Sequence, residues 1–102
     1  MTYNEKSLKI INHYGVMKQL KYFQTEVFEL NEAIIRAEEE LRIDGFLSIT
    51  EENKEHIAEE IADIQVMLNQ FKEYYELDEV QIKTIMEGKI DRQLKRIKEV
   101  KE

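Results

Sequence analysis

The 102-residue sequence has no cysteine, no proline and no tryptophan, and its glycines are confined to Gly15, Gly45 and Gly88. Without cysteine it can form no disulfide and offers no thiolate to a metal or substrate. Without proline, and with so little glycine, no stretch has the composition of a flexible linker or a disordered tail. There is no glycine-rich phosphate loop and no Ser/His/Asp arrangement. The two histidines, His13 and His56, lack the spacing of a zinc site. No run approaches the roughly 20 apolar residues of a membrane span. The opening "MTYNEKSLKIINHYG" lacks the long apolar core of a signal peptide. The chain therefore reads as cytoplasmic, with no membrane partner.

Positive charge is also scarce, with 15 basic residues against 22 acidic ones and a formal net charge of −7. That balance argues against a nucleic-acid polymer as partner, because phosphate backbones need a basic patch to release counterions. It leaves room for an anion held through a metal, since a bound cation inverts the local electrostatics.

What the sequence has in quantity is helical periodicity. Val16, Leu20, Phe23, Val27, Leu30, Ile34, Ala37 and Leu41 recur at steps of three and four, as do Ile57, Ile61, Ile64, Leu68, Phe71 and Tyr75. The spacing predicts two long helices with those residues as their core-facing stripes. Gly45 suits the turn between them. In "SITEENKE", Ser48 with Glu51, or Thr50, can cap the second. Asp78 with Gln81 starts a further helix, and a short opening helix spans about Glu5 to Asn12, before His13-Tyr14-Gly15. The expected fold is all-α, one domain over residues 1–102. It is a four-helix bundle-like module with two long antiparallel helices joined by short loops.

Both long helices carry acids beside their stripes, in "TEVFEL" (Glu26, Glu29) and "AEEIADIQVML" (Glu60, Asp63). At about 100° per residue, Glu26 and Glu29 lie roughly 80° and 140° from the first stripe's centre, on one side. Glu60 and Asp63 lie roughly 60° and 120° from the second. These sectors also hold Tyr22, Ala33, Ala37, His56, Met67 and Tyr74, unlike a plain solvated face. Acid pairs at this spacing also serve simply to solvate a helix. Four converging carboxylates would repel one another unless a cation neutralised them, which makes a divalent metal their natural partner.

ExxE in "QTEVFELNEAI" followed by ExxD in "EEIADIQVML" resembles the MazG-like family of all-α nucleoside triphosphate pyrophosphatases. The resemblance runs from about Tyr14 to Arg96. Dimeric dUTPases share that architecture, but the short chain looks more like the single-module MazG-like type. The family's Lys, Asn and Arg series in the last helix falls on Lys89, Gln93 and Arg96, with Gln in place of Asn. The resemblance implies that Glu26, Glu29, Glu60 and Asp63 ligate Mg²⁺, with Mn²⁺ a possible substitute. It implies hydrolysis of an NTP or dNTP at the α–β bond to nucleoside monophosphate and pyrophosphate, a reaction of nucleotide-pool house-cleaning. Glu29 is then the candidate proton acceptor for the attacking water.

Lys89 and Arg96 share one helical face, with Gln93 between them, and suit phosphate contact. With Lys95, Lys98 and Lys101 they equally suit the negative end of a helix dipole. Gln19, Tyr22, His56 and Tyr74 are candidates for lining a base pocket. Phe28 and Ile35 fall opposite the acids, and the small module is expected to complete its core as a homodimer or homotetramer. The alternative is a non-catalytic helical module that docks on another protein through its apolar stripes.

Overall fold

A computed structural model describes residues 1–101, and the side chains of Val100 and Lys101 lie outside what is described. The chain is all-helical: α1 (Tyr3–Tyr14), α2 (Val16–Arg42), α3 (Glu51–Tyr74) and α4 (Glu79–Lys101). The opening helix is longer at both ends than Glu5 to Asn12. At its start Thr2 and Glu5 form a reciprocal capping box: Glu5 N–H donates to Thr2 Oγ1 at 3.1 Å and Thr2 N–H to Glu5 Oε1 at 2.9 Å. At its end Gly15, with φ +91°, donates its N–H to Ile11 O at 2.8 Å. Only glycine adopts that backbone angle without strain, and it lets α2 begin at once in a new direction.

Thr50 caps α3, accepting the Asn53 N–H at 3.1 Å, and Gly45 takes φ +80° in the preceding turn. Helix α3 ends with Glu76 in the left-handed region at φ +54°. There Leu77 N–H reaches back to Lys72 O at 2.9 Å, and Glu76 N–H to Glu73 O at 3.2 Å. These are the two bonds of a Schellman end. Asp78 then accepts the Val80 N–H at 2.9 Å and opens α4.

Helices α2 and α3 run antiparallel, because early α2 residues meet late α3 residues. Gln19 bonds to Gln70, Phe23 meets Phe71 edge-to-face at 5.6 Å, and Asn53 bonds to Glu40. Helix α1 lies across α3, where Asn69 Nδ2 donates to Ser7 Oγ at 2.7 Å and to Asn4 Oδ1 at 3.1 Å. Among the described residues α4 has no comparable packing on the other three helices. An ion pair at 3.7 Å between Lys72 and Glu79 holds its first turn.

The face turned inward matches the expected one in part: Phe23, Leu30 and Ala37 of α2 and Ile57, Ile64 and Phe71 of α3 are buried or half-buried. Leu20, Val27 and Ile34 of α2, and Ile61 and Leu68 of α3, are exposed. The buried positions of α2 include Gln19, Glu26 and Ala33, spaced by seven, and those of α3 include Asn53, Glu60 and Met67, also spaced by seven. The contact seam keeps the Phe23, Leu30 and Ala37 row of the stripe and replaces Leu20, Val27 and Ile34 with Gln19, Glu26 and Ala33, so its centre is turned by roughly 50° from that of the apolar stripe. The physical reason is that a pair of helices buries one narrow stripe each, and the small side chains at Ala33 and Ala37 let α2 and α3 approach along the acid-bearing sector. Ile11, Ala33, Ala37 and Met67 are the buried apolar side chains among the described residues. The radius of gyration is 17.6 Å, against about 13 Å for a compact chain of 100 residues. One chain therefore leaves most of its large aliphatic side chains uncovered.

Candidate metal centre

Glu26 sits midway along α2, facing α3. Glu60 and Asp63 are one turn apart on α3 and face back. One carboxylate oxygen from each of the three lies within 4.8 Å of the other two. Glu26 and Glu60 are 4% and 7% exposed, whereas Asp63 opens to solvent. Oε2 of Glu26 and Oε2 of Glu60 are sealed from solvent and have no hydrogen-bond donor. Buried carboxylate oxygens without a donor are strongly unfavourable, and the favourable remedies are a proton or a cation.

The electrostatics point the same way. Burial pushes the Glu26 carboxyl above its ordinary value; hydrogen bonding from Tyr22 opposes this, and the charges of Glu29 and Asp63 add to it. Tyr22 is raised in turn, by hydrogen bonding to Glu26 and by that carboxylate's charge. The donor set, carboxylate oxygens without sulfur, fits a hard cation such as Mg²⁺ or Mn²⁺.

Three of the four expected ligands therefore converge. Glu29, one turn beyond Glu26, stays outside the three-oxygen group and lines a neighbouring cavity of about 300 Å³ with Glu60, His56 and Arg36. On the other side lies a larger cavity of about 680 Å³, bounded by Asp63 near the acids and by Gln19 and Gln70 further along the seam. Tyr14, Tyr22 and Met67 form part of its wall. Lys18 stands at its rim, with Nζ 5.2 Å from the centre of the Tyr14 ring, a cation–π contact.

Of the expected base-pocket residues, Gln19 and Tyr22 line this cavity. His56 lies beyond the acids, and Tyr74 packs edge-to-face on Tyr75 at 5.0 Å. Lys89, Gln93 and Arg96 are exposed on α4 and are not brought to the acids within one chain. Gln70 and Tyr14 were not among the expected residues. A signal for Gln70 exists in the numbering: it follows Asp63 by seven, as Glu26 follows Gln19, so each amide shares a face with an acid. In comparisons with known proteins, the chain matches no family model, no curated protein and no solved structure.

Proposed function

We propose that this protein is a Mg²⁺-dependent hydrolase of nucleoside triphosphates, NTP or dNTP, producing nucleoside monophosphate and pyrophosphate. The observation that carries the reading is the convergence of Glu26, Glu60 and Asp63, with two sealed carboxylate oxygens lacking any donor. The MazG-like resemblance of "TEVFEL" and "EEIADI" supports it independently of the geometry.

Glu26, Glu60 and Asp63 would hold the metal. When bound, Mg²⁺ supplies charge neutralisation and Lewis-acid polarisation of the phosphates. Glu29 is left free to accept a proton from the attacking water. The water oxygen bonds to phosphorus as the α–β bridging bond breaks, and pyrophosphate leaves. Glu26 and Glu60, rooted on separate helices, would hold the metal at a fixed place relative to Glu29, so positioning supplies part of the rate.

We place Lys89, Gln93 and Arg96 on the phosphates of a neighbouring copy's site, in a homodimer or homotetramer. Two features support this: among the described residues α4 has little packing on the other helices of its own chain, and Leu20, Val27 and Ile34 of α2 and Ile61 and Leu68 of α3 are uncovered. The same uncovered stripes favour a second reading, a module without turnover that docks on another protein.

Pyrophosphate release from a panel of NTPs and dNTPs, with and without Mg²⁺, separates the two. Metal-dependent release, lost in Glu60→Ala and Asp63→Ala while helical circular dichroism persists, supports the hydrolase. No release, with no effect of Mg²⁺ or Mn²⁺ on melting, leaves the docking module as the better account.

A further inference from the structure

The amide pair at the far end of the larger cavity has no part in holding metal or phosphate. Gln19 Nε2 donates to Gln70 Oε1 at 2.9 Å across the seam between α2 and α3. Both side chains are buried, Gln70 with 2% of its surface exposed. That bond occupies one N–H of Gln19 and the carbonyl of Gln70. The Gln19 carbonyl and the Gln70 NH₂ make no further protein hydrogen bond among the described residues.

Neither atom is sealed away, for the unpaired side-chain atoms closed to solvent are the oxygens of Glu26 and Glu60. Both glutamines line the cavity, which brings their amide ends to its wall. Exchanging oxygen and nitrogen in both amides gives the same chemistry, one carbonyl beside one NH₂. The bond between the two amides holds them in register, so a ligand meets a preorganised donor–acceptor edge.

The surroundings restrict what that ligand is. The rings of Tyr14 and Tyr22 and the thioether of Met67 suit the faces of a flat heterocycle. Gln19 precedes Glu26 by seven residues and Gln70 follows Asp63 by seven. The amide edge therefore lies about two turns, roughly 10 Å, along the helices from the acid cluster. A base, its sugar and the first phosphates bridge such a span. A cavity of about 680 Å³ falls within the range of small-molecule sites.

We propose that the Gln19–Gln70 pair reads the hydrogen-bonding edge of the nucleobase, and that Gln70 is a specificity-determining residue. The inference rests on the acid cluster being the phosphate end of a nucleotide site. Gln70→Leu removes the free NH₂ and the carbonyl that Gln19 uses. Gln70→Glu keeps the size and the acceptor for Gln19 but replaces the free donor with an acceptor.

The test measures kcat/KM for four NTPs and for inorganic tripolyphosphate, which has no base, in wild type and both variants. Expected is a wild-type preference for one base. In both variants the ratio of the preferred nucleotide to tripolyphosphate falls about 10- to 100-fold, chiefly through KM, as loss of a hydrogen bond to a buried partner implies. The ranking of bases also changes in Gln70→Glu, and the melting shift given by Mg²⁺ persists. An unchanged ranking and ratio in Gln70→Glu, folded and metal-responsive, would overturn the proposal. If the wild type turns over nothing, calorimetric binding of the four nucleoside monophosphates decides. Base-dependent affinity lost in Gln70→Glu upholds the pair while the hydrolase reading fails; binding indifferent to the base, or none, defeats the pair.

Discussion

Glu26 is the residue on which stability and the proposed metal-holding role pull in opposite directions. In the metal-free protein its carboxyl is buried, lacks a donor at Oε2 and is raised above 4.5, first by desolvation. Between 4.5 and that raised value the native state binds more protons than the unfolded one, so stability falls as pH rises. The contribution is fully present below the unfolded value and is lost as pH passes through the folded one. Glu26→Gln removes the charge at nearly constant volume. Melting in EDTA should show the variant more stable than wild type near neutral pH, by about 1–3 kcal/mol, the scale of an unsatisfied buried group. The gap should close on acidification. Mg²⁺ should stabilise the wild type and not the variant, since a ligand stabilises only the state that binds it. A wild-type metal shift retained in Glu26→Gln would remove Glu26 from the centre.

At the scale of elements, helix ends and helix faces differ in how far the sequence discloses them. The helices are legible because period, caps and glycines agree: Thr50, Asp78, Gly15 and Gly45 each stand where a boundary falls. The acids are legible too, since Glu26, Glu60 and Asp63 share sectors with small and aromatic neighbours. The inward face is legible only in part: Phe23, Ala37 and Phe71 turn inward, but hydrophobicity also assigns Leu20, Val27 and Ile34 to the core, and among the described residues no helix of the same chain covers them. Gln70 escapes for the same reason: an amide does not mark a seam. One boundary breaks the local rules. Glu76 ends α3 at φ +54°, where a side chain costs roughly 1–2 kcal/mol and glycine costs nothing comparable. Glu76→Gly should raise the melting midpoint by several degrees, on the usual scale of about 4–8 °C per kcal/mol for a small domain. An unchanged or lowered midpoint would show that Glu76 earns its place through contacts outside this turn.

At the scale of the whole molecule, the chain is a framework of helices with two unlike seams side by side on α2. The inner one runs through Gln19, Glu26 and Ala33, and the outer one through Leu20, Val27 and Ile34. The inner seam gathers the polar chemistry, which contributes little to folding and costs stability at Glu26. The outer seam holds the aliphatic side chains that drive folding, at about 25 cal/mol per Å² of apolar surface removed from water. With four buried apolar side chains among the described residues and a radius of gyration of 17.6 Å, the chain has little of that stabilisation by itself. Its stability should therefore depend on concentration, as for any fold completed by association. Light scattering should give a dimer or tetramer, and the melting midpoint should fall over about a hundred-fold dilution. Ile34→Asp, on the outer seam and away from the acids and amides, should dissociate the assembly and lower the midpoint. Addition of Mg²⁺ should recover part of it if the inner seam still forms in the separated chain. A wild type that is monomeric at every concentration, with a constant midpoint, would mean that the outer seam is not a surface for a second copy, and the phosphate role given to a neighbour's Lys89 and Arg96 would fall with it.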